Sequence, residues 1–153
     1  MRRKDREVGE REGIEAIIRD CPVCRLALAD GDSPYVVPLN FGYREGALYF
    51  HSAPTGKKIE ILRRNPRVCV EFDCEVEVVK AERPCAFSCR YRSAIGRGSA
   101  RFVEDPLEKG EALNLIVGRY GGPPGGFTEA ELASVAVVRV DFEELTGKRS
   151  GRL

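Results

Sequence analysis

The chain has 153 residues, 42% of them hydrophobic, so it is long enough to form one domain around a core, which we place at residues 1–153. Its 25 basic and 24 acidic residues leave a net charge of +1, which excludes the strong positive charge typical of nucleic-acid-binding domains. The N-terminal residues are mostly charged, and no segment offers the roughly 20 apolar residues of a membrane span. We therefore expect a cytoplasmic protein without a signal peptide.

Hydrophobic periodicity divides the chain into several short strands and three helices. The helical spacing is clear at Ile14, Ile17 and Ile18, and the two-residue alternation of a strand is clear at Cys24 and Leu26. In chain order, the predicted elements are a helix over 5–20, strands over 24–29, 35–43 and 47–52, a helix over 57–64, a strand over 68–73, a long strand over 89–103, a helix from 105 to 120 and a last strand over 134–142.

Proline and glycine mark where this pattern is interrupted. Pro38 cannot donate a hydrogen bond within a sheet, so its strand is expected to carry a sheet edge, a bulge or the end of pairing. Residues 44–46 predict a hairpin turn, and residues 80–87 predict irregular structure. Gly96 and Gly98 predict a bulge or sharp bend in the long strand. Short antiparallel strands with few helices between them favour a mainly β fold, a small barrel with flanking helices, over a parallel sheet.

The joint between the strand over 47–52 and the next helix carries the strongest chemical signal. It places the hydroxyl of Ser52, the flexible backbone of Gly56 and the ammonium groups of Lys57 and Lys58 at a helix N-terminus. Free backbone N–H groups and the helix dipole favour an anion at such a position. His51, the only histidine of the chain, lies at the entrance. The joint predicts a site for a small phosphate-bearing ligand, with a solvated basic helix start as the alternative.

Six cysteines raise the question of a metal site. Cys21 and Cys24 form a CxxC motif, and Cys85 and Cys89 form a CxxxC motif, so these four thiols could bind zinc or form disulfides. The alternating positions of Cys24 and Cys69 instead favour small buried residues in a sheet. We therefore predict no metal ligands. A redox CxxC motif is disfavoured because no thioredoxin-like βαβ pattern surrounds it.

Several segments in sequence order resemble the pyridoxamine 5′-phosphate oxidase-like flavoproteins, and within them most closely the nitroimidazole-resistance (Nim) branch. The resemblance covers roughly residues 10–148. The segments that carry it are Pro34–Tyr43 (PYVVPLNFGY), Leu48–Ala53 (LYFHSA), Gly56–Lys58 (GKK), Asn65–Cys69 (NPRVC) and Tyr91–Gly96 (YRSAIG).

The resemblance implies a six-stranded antiparallel split β-barrel, a homodimer, and FMN held at the subunit interface. It places the segment from Val36 to Asn40 along the isoalloxazine ring, the joint around the ribityl phosphate, and Ser93 near the flavin from the other subunit. Lys148 is a further candidate, and His51 is the candidate catalytic residue. The cofactor-binding residues implied in this way are Val36, Val37, Pro38, Leu39, Asn40, His51, Ser52, Ala53, Gly56, Lys57, Lys58, Ser93 and Lys148.

Each of these assignments has a structural alternative. Pro38 alone is compatible with a simple edge strand, Ser93 with a local backbone hydrogen bond, and His51 with a structural histidine. The segment after Phe142 lacks the Arg-x-His pattern with which pyridoxamine phosphate oxidases hold their substrate, so the resemblance does not extend to that activity.

Three functional hypotheses follow. The first is an FMN-dependent oxidoreductase acting on a small organic acceptor, with Nim-like nitro reduction as the leading case. The second is a non-catalytic protein of the same fold that binds flavin, deazaflavin or haem, where His51 is the only histidine available to iron. The third, which we rank last, is a zinc-stapled interaction domain without a cofactor. No nucleic-acid or membrane partner is expected.

Overall fold

An antiparallel sheet of eight strands organises the chain. The computed structural model describes residues 3–151. The elements are β1 (Glu7–Val8), α1 (Arg11–Asp20), β2 (Cys24–Asp30), β3 (Ser33–Leu39), β4 (Gly42–Arg44), β5 (Ala47–Ser52), α2 (Lys57–Arg64), β6 (Arg67–Val79), β7 (Ser88–Phe102), α3 (Pro106–Arg119), α4 (Glu129–Ser134) and β8 (Ala136–Ser150).

The strands follow the spatial order β3-β2-β6-β7-β8-β5-β4, and β1 pairs with the end of β8. Six strands have six residues or more, which matches the six expected, while β1 and β4 are short additions. Within residues 3–151, the two outer strands β3 and β4 are not paired with each other, so the sheet does not close. The mainly β prediction with flanking helices is confirmed.

The core lies between the curled sheet and its helices. Ile14, Ile17 and Ile18 of α1 are buried, as their spacing predicted. They belong to one core cluster with Phe72 of β6 and with Phe41, which lies between β3 and β4. A second cluster forms where α3 covers β5 and β8. Burial of this apolar surface, at about 25 cal/mol per Å², is the main stabilising contribution. In residues 3–151 no helix is long and apolar enough to cross a membrane.

Several element boundaries differ from the predictions. Helix α1 begins at Arg11 instead of residue 5, because Glu7 and Val8 pair with β8. The strand predicted over 35–43 is two strands separated by Asn40 and Phe41. The helix α4 was not predicted, although the capping box of Thr128 and Glu131 marks its start.

The long strands extend beyond their predicted ends. β6 continues to Val79 past a bulge at Glu75, and β8 continues to Ser150 past a register shift opposite Arg97 and Gly98. The extra residue of this register shift, Glu143, lies on β8, so the bulge expected within the long strand at Gly96 and Gly98 lies on the neighbouring strand, opposite Gly98. The residues after the predicted strand end at 142 pair with β7 as part of β8.

Candidate functional site

The joint between β5 and α2 has the geometry of an anion site. β5 and α2 occupy residues 47–52 and 57–64, as the sequence predicted. Gly56 precedes α2 with φ 114° and ψ 167°, a conformation that is essentially restricted to glycine, and no atom lies within 4 Å of the position a Cβ would take. In the described chain no side chain caps this helix, so its first backbone N–H groups remain available.

Lys58 is a partly buried cation without a counter-charge. Its Nζ lies 5.4 Å from the centre of the Phe50 ring, so the side chain reaches back over β5. No carboxylate within residues 3–151 lies within 4 Å of this ammonium. Burial lowers the pKa of Lys58 because the charged form is desolvated. A bound anion would supply the missing counter-charge.

Lys57 is already engaged, unlike its neighbour. Its Nζ lies 3.4 Å from Asp30 Oδ2 and 5.2 Å from the centre of the Tyr35 ring. Asp30 also accepts a hydrogen bond from Arg64 Nη2 at 2.7 Å. Lys57 therefore connects the start of α2 to the β2–β3 hairpin. As a result, the segment 36–40, which follows Tyr35, and the segment 56–58 at the start of α2 lie on neighbouring elements.

The last residues of β5 have an open backbone edge. β4 pairs with β5 only as far as Tyr49, so His51 and Ser52 have a neighbouring strand on one side only in the described structure. His51 and Ala53 are exposed, and Ser52 is partly buried. These residues and Lys58, whose Nζ lies over the preceding Phe50, form one surface that can contact a ligand through backbone and side-chain groups.

The strand β3 forms the outer edge of the sheet, as Pro38 predicted. Val36, Pro38 and Asn40 are exposed, and Val36 is exposed to 57%. Val37 and Leu39 pack inward against the core. The two sets alternate as the strand pleat requires. A flat ligand along this edge would contact the side chains of Val36, Pro38 and Asn40. It would contact only the backbone of Val37 and Leu39.

Ser93 and Lys148 form a separate group. They face each other as partners on β7 and β8, and Lys148 Nζ lies 5.5 Å from the centre of the Tyr91 ring. His51 pairs with Val137, which lies eleven residues before Lys148 on β8. That separation amounts to about 36 Å along the strand at about 3.3 Å per residue. One chain therefore does not bring these two residues to the joint.

The four cysteines of the zinc hypothesis occupy different environments. Cys21 and Cys24 are buried, Cys85 is exposed and Cys89 is partly buried. Burial raises the pKa of Cys24 to about 12, which keeps it as a neutral thiol. Across residues 3–151, no three His, Cys, Asp or Glu side chains form a group that could hold a metal ion.

Asp30 and Tyr35 also belong to this surface, although neither was predicted from the sequence as a site residue. Both contact Lys57, yet they lie more than 20 positions earlier in the chain, and no local motif links them to it. Their role follows from tertiary structure alone.

These residues together can hold a molecule with an anionic end and a flat body. The helix start and Lys58 suit the anion, since helix N-termini and ammonium groups are both favourable partners for phosphate. The free edge of β3, close to α2 through Lys57, suits a planar group. A phosphorylated flavin therefore fits the residues present.

Comparisons with known proteins show which family the chain resembles and which structures share its fold. Residues 10–149 match the family model described as pyridoxamine 5′-phosphate oxidase. A curated relative from Rhizobium meliloti, itself uncharacterized, is 34% identical over 65 residues. That match spans 42% of this chain and 42% of the relative, which is less than half the length of either.

Solved structures share the fold. A candidate 5-nitroimidazole antibiotic resistance protein from Bacteroides thetaiotaomicron is 37% identical with a TM-score of 0.84, covering 94% of this chain and 86% of that one. A FAD-binding protein from Mesorhizobium loti is 26% identical with a TM-score of 0.69, covering 93% and 96%. The flavocytochrome Anf3 from Azotobacter vinelandii has a TM-score of 0.87 over 99% of this chain and 72% of that one, and at 22% identity it supports the fold alone.

Proposed function

The chain belongs to the pyridoxamine 5′-phosphate oxidase family, and from this premise we propose that it binds FMN between two copies of itself and acts as an oxidoreductase on a small organic acceptor. The observation that carries the proposal is the partly buried ammonium of Lys58, which has no ion-pair partner within residues 3–151 and lies beside a start of α2 that no described side chain caps. This arrangement favours a phosphate ester over an uncharged ligand.

The phosphate of FMN would be held at the β5–α2 joint. Lys58 and the backbone N–H groups after Gly56 would donate to it, with the Ser52 hydroxyl as a further donor. Lys57 would contribute mainly by fixing the helix start against Asp30. FMN and FAD both carry a phosphate at this position of the ribityl chain, and FMN, the smaller of the two, is the cofactor that we propose.

The flavin ring would lie along β3, against Val36, Pro38 and Asn40. When bound, the flavin supplies the electron-transfer chemistry, and the protein provides binding, orientation and the surrounding charges. His51 is exposed beside the joint and could hold or donate a proton to a substrate. We therefore assign it as the candidate catalytic residue.

Nitro-group reduction is the leading activity. It is supported by the 37% identity to the Bacteroides protein over 94% of this chain. Pyridoxamine phosphate oxidation is not proposed, because the segment after Phe142 has no Arg-x-His pattern and forms part of β8 instead.

A homodimer would complete the site. Lys148, and Ser93 of β7 that pairs with it, lie about 36 Å along β8 from the residue paired with His51, so a second copy would have to present them to the same flavin. Large apolar side chains are also exposed, which is typical of a surface that another protein covers. They include Val36, Val76, Val78, Phe87 and Ile95, exposed between 42% and 62%. Light scattering on the purified protein should give twice the mass of the chain.

The absorbance spectrum of the purified protein separates the hypotheses. Bands of oxidised flavin would support the proposal, whereas a Soret band would favour the alternative of a haem-binding protein of the same fold. A deazaflavin would be distinguished by its shorter-wavelength band. Flavin bands without reduction of any acceptor would favour the non-catalytic flavin carrier.

Activity is then tested directly. The purified protein, loaded with FMN, is supplied with a reductant and a nitroimidazole, and free FMN at the same concentration serves as the control. Amine formation above that control, reduced in His51→Ala, supports the oxidoreductase. Equal rates with protein and with free FMN would leave only the binding function. The cytoplasmic location expected from the sequence stays a prediction.

A further inference from the structure

A cavity of about 650 Å³ lies on a different part of the molecule. It is formed by the ends of α1 and α3, the residues just after α1, and β4, and none of its lining residues belongs to the β5–α2 joint. Its lining includes the charged side chains of Arg19, Asp20 and Arg119 and the aromatic side chains of Tyr43 and Tyr120. Neither the family match nor the site described above accounts for this cavity.

The guanidinium of Arg119 lies in the cavity wall without a carboxylate partner. Its Nη2 donates to the carbonyl oxygens of Ile18, Arg19 and Cys21 at the end of α1, and its centre lies 4.1 Å from the centre of the Phe41 ring. No Asp or Glu within residues 3–151 forms an ion pair with it. Capping α1 explains the Nη2 contacts but leaves Nε and Nη1 unused.

Two side chains that line this cavity each carry a buried polar atom without a hydrogen-bond partner among the described residues. In the described residues, the buried side-chain nitrogen and oxygen atoms without a hydrogen-bond partner are the Tyr43 hydroxyl and Arg119 Nε. Buried polar groups in native proteins are nearly always satisfied, so two exceptions beside one cavity call for a shared explanation. Burial, together with the nearby carboxylate of Glu15, raises the pKa of Tyr43 to about 12, which keeps its hydroxyl protonated and able to donate.

Arg119 is the lining cation of this cavity that has no carboxylate within 4 Å among the described residues. The other lining arginine, Arg19, lies 3.6 Å from Glu15. The carboxylate of Asp20 also lines the cavity, and it pairs at 2.8 Å with Arg92 Nη2, which is shared with Glu75. An anion entering the cavity would therefore be drawn to Arg119 and away from the side of Asp20.

The remaining wall is apolar and fixed in position. Pro22 and Leu115 line it together with the ring of Tyr120. The Tyr120 hydroxyl accepts from Phe41 N at 3.2 Å and donates to Pro22 O at 2.6 Å, which holds the ring in place. A preformed apolar wall next to a cation suits a ligand with a flat apolar body and one anionic group.

We propose that this cavity binds a small aryl carboxylate, whose carboxylate pairs with Arg119 and accepts from Tyr43 after a local side-chain adjustment. The aryl body packs against Pro22, Leu115 and the Tyr120 ring. The site is independent of flavin binding, so its test does not rest on the function proposed above.

The test uses benzoate and calorimetry on the protein as purified, with its flavin content recorded by absorbance. Benzoate is expected to bind saturably, one per chain, in buffer of constant chloride concentration. Benzamide, which has the same ring without the charge, is expected to bind at least tenfold more weakly. Absence of saturable benzoate binding, or equal binding of benzamide, would overturn the proposal. Flavin bands that do not change on benzoate addition show that the flavin site is not being measured.

Two variants locate the binding. Arg119→Gln keeps a donor for the α1 carbonyls and removes the charge, and Tyr43→Phe removes only a hydroxyl that has no partner among the described residues. Each is expected to weaken benzoate at least tenfold, whereas Arg101→Gln, an exposed arginine outside the cavity, is expected to leave it unchanged. If Arg119→Gln fails to fold, Tyr43→Phe decides. Wild-type affinity in Tyr43→Phe would refute the assigned site.

Discussion

Lys58 Nζ lies 5.4 Å from the centre of the Phe50 ring, which draws this ammonium from the helix start back over the preceding strand. The same side chain is partly buried and has no ion-pair partner within the described residues, whereas Lys57 beside it is paired with Asp30. Two adjacent lysines that look equivalent in the sequence are therefore unequal in the structure. This inequality gives the phosphate-site hypothesis a sharp test.

We expect Lys58→Ala to weaken FMN binding far more than Lys57→Ala. A hydrogen bond to a charged group contributes about 1.5–3 kcal/mol, so loss of Lys58 should reduce FMN affinity roughly 10- to 100-fold. Loss of Lys57, which already faces Asp30, should change it by about threefold or less. Fluorescence titration measures both, and riboflavin, which lacks the phosphate, should bind both variants about equally. A larger loss in Lys57→Ala would reverse the assignment.

FMN affinity should fall at alkaline pH. Burial lowers the pKa of Lys58, so in the free protein its charge is lost at a lower pH than for an ordinary lysine. Only the protonated form of Lys58 attracts the phosphate. The second ionisation of the phosphate is complete well below the pH at which a lysine loses its charge, so the phosphate charge stays constant there. Affinity should thus be highest near pH 7 and decline toward about pH 10. Lys58→Ala should show a flatter profile, and an unchanged slope in that variant would assign the titration to another group.

Gly98→Ala should destabilise the sheet. A Cβ at this position would collide with the backbone carbonyl oxygen of Asp141, at the register shift between β7 and β8. Neither backbone can move without disturbing the ladder, so we expect a loss of about 2–3 kcal/mol in the free energy of unfolding. Chemical denaturation measures this.

Gly110→Ala is the matched control for that substitution. Gly110 lies within α3, and its Cβ would be 3.9 Å from the Phe127 ring, which is an ordinary contact. Alanine is the better helix former, so this variant should gain up to about 1 kcal/mol. Equal stability of the two variants would mean that the close approach at Gly98 is absent in solution.

The cysteines should differ strongly in reactivity. Cys85 is exposed, whereas Cys21 and Cys24 are buried and burial raises the pKa of both thiols. Because the thiolate is the reactive form, iodoacetamide should modify Cys85 first and the two buried residues only after unfolding. Peptide mass spectrometry over a time course reads this out. Early modification of Cys24 would contradict its placement in the core.

Local signals predicted much of the fold. The hairpin turn at 44–46, strand β5 and helix α2 were all identified, because turn residues, alternation and helical spacing coincide there. The end of β8 was missed, since Glu143 and Glu144 break the alternation next to the register shift. Sequence periodicity does not reveal a strand that continues through a bulge.

The candidate site was only partly accessible to sequence reasoning. The joint residues and the edge position of Pro38 follow from local chemistry. The pairing of Lys57 with Asp30, and the isolation of Lys58, depend on contacts between residues distant in the chain. The separation of Ser93 from His51 likewise follows from the pairing register along β8, which no local motif encodes.

The most direct measurement is a paired titration of flavin-free protein with FMN and with riboflavin. The account predicts saturable binding of one FMN per chain, with riboflavin bound at least tenfold more weakly because the uncapped α2 start and Lys58 hold the phosphate. Equal affinity for the two flavins, or no saturable binding of FMN, would contradict the assignment of this joint as a phosphate site.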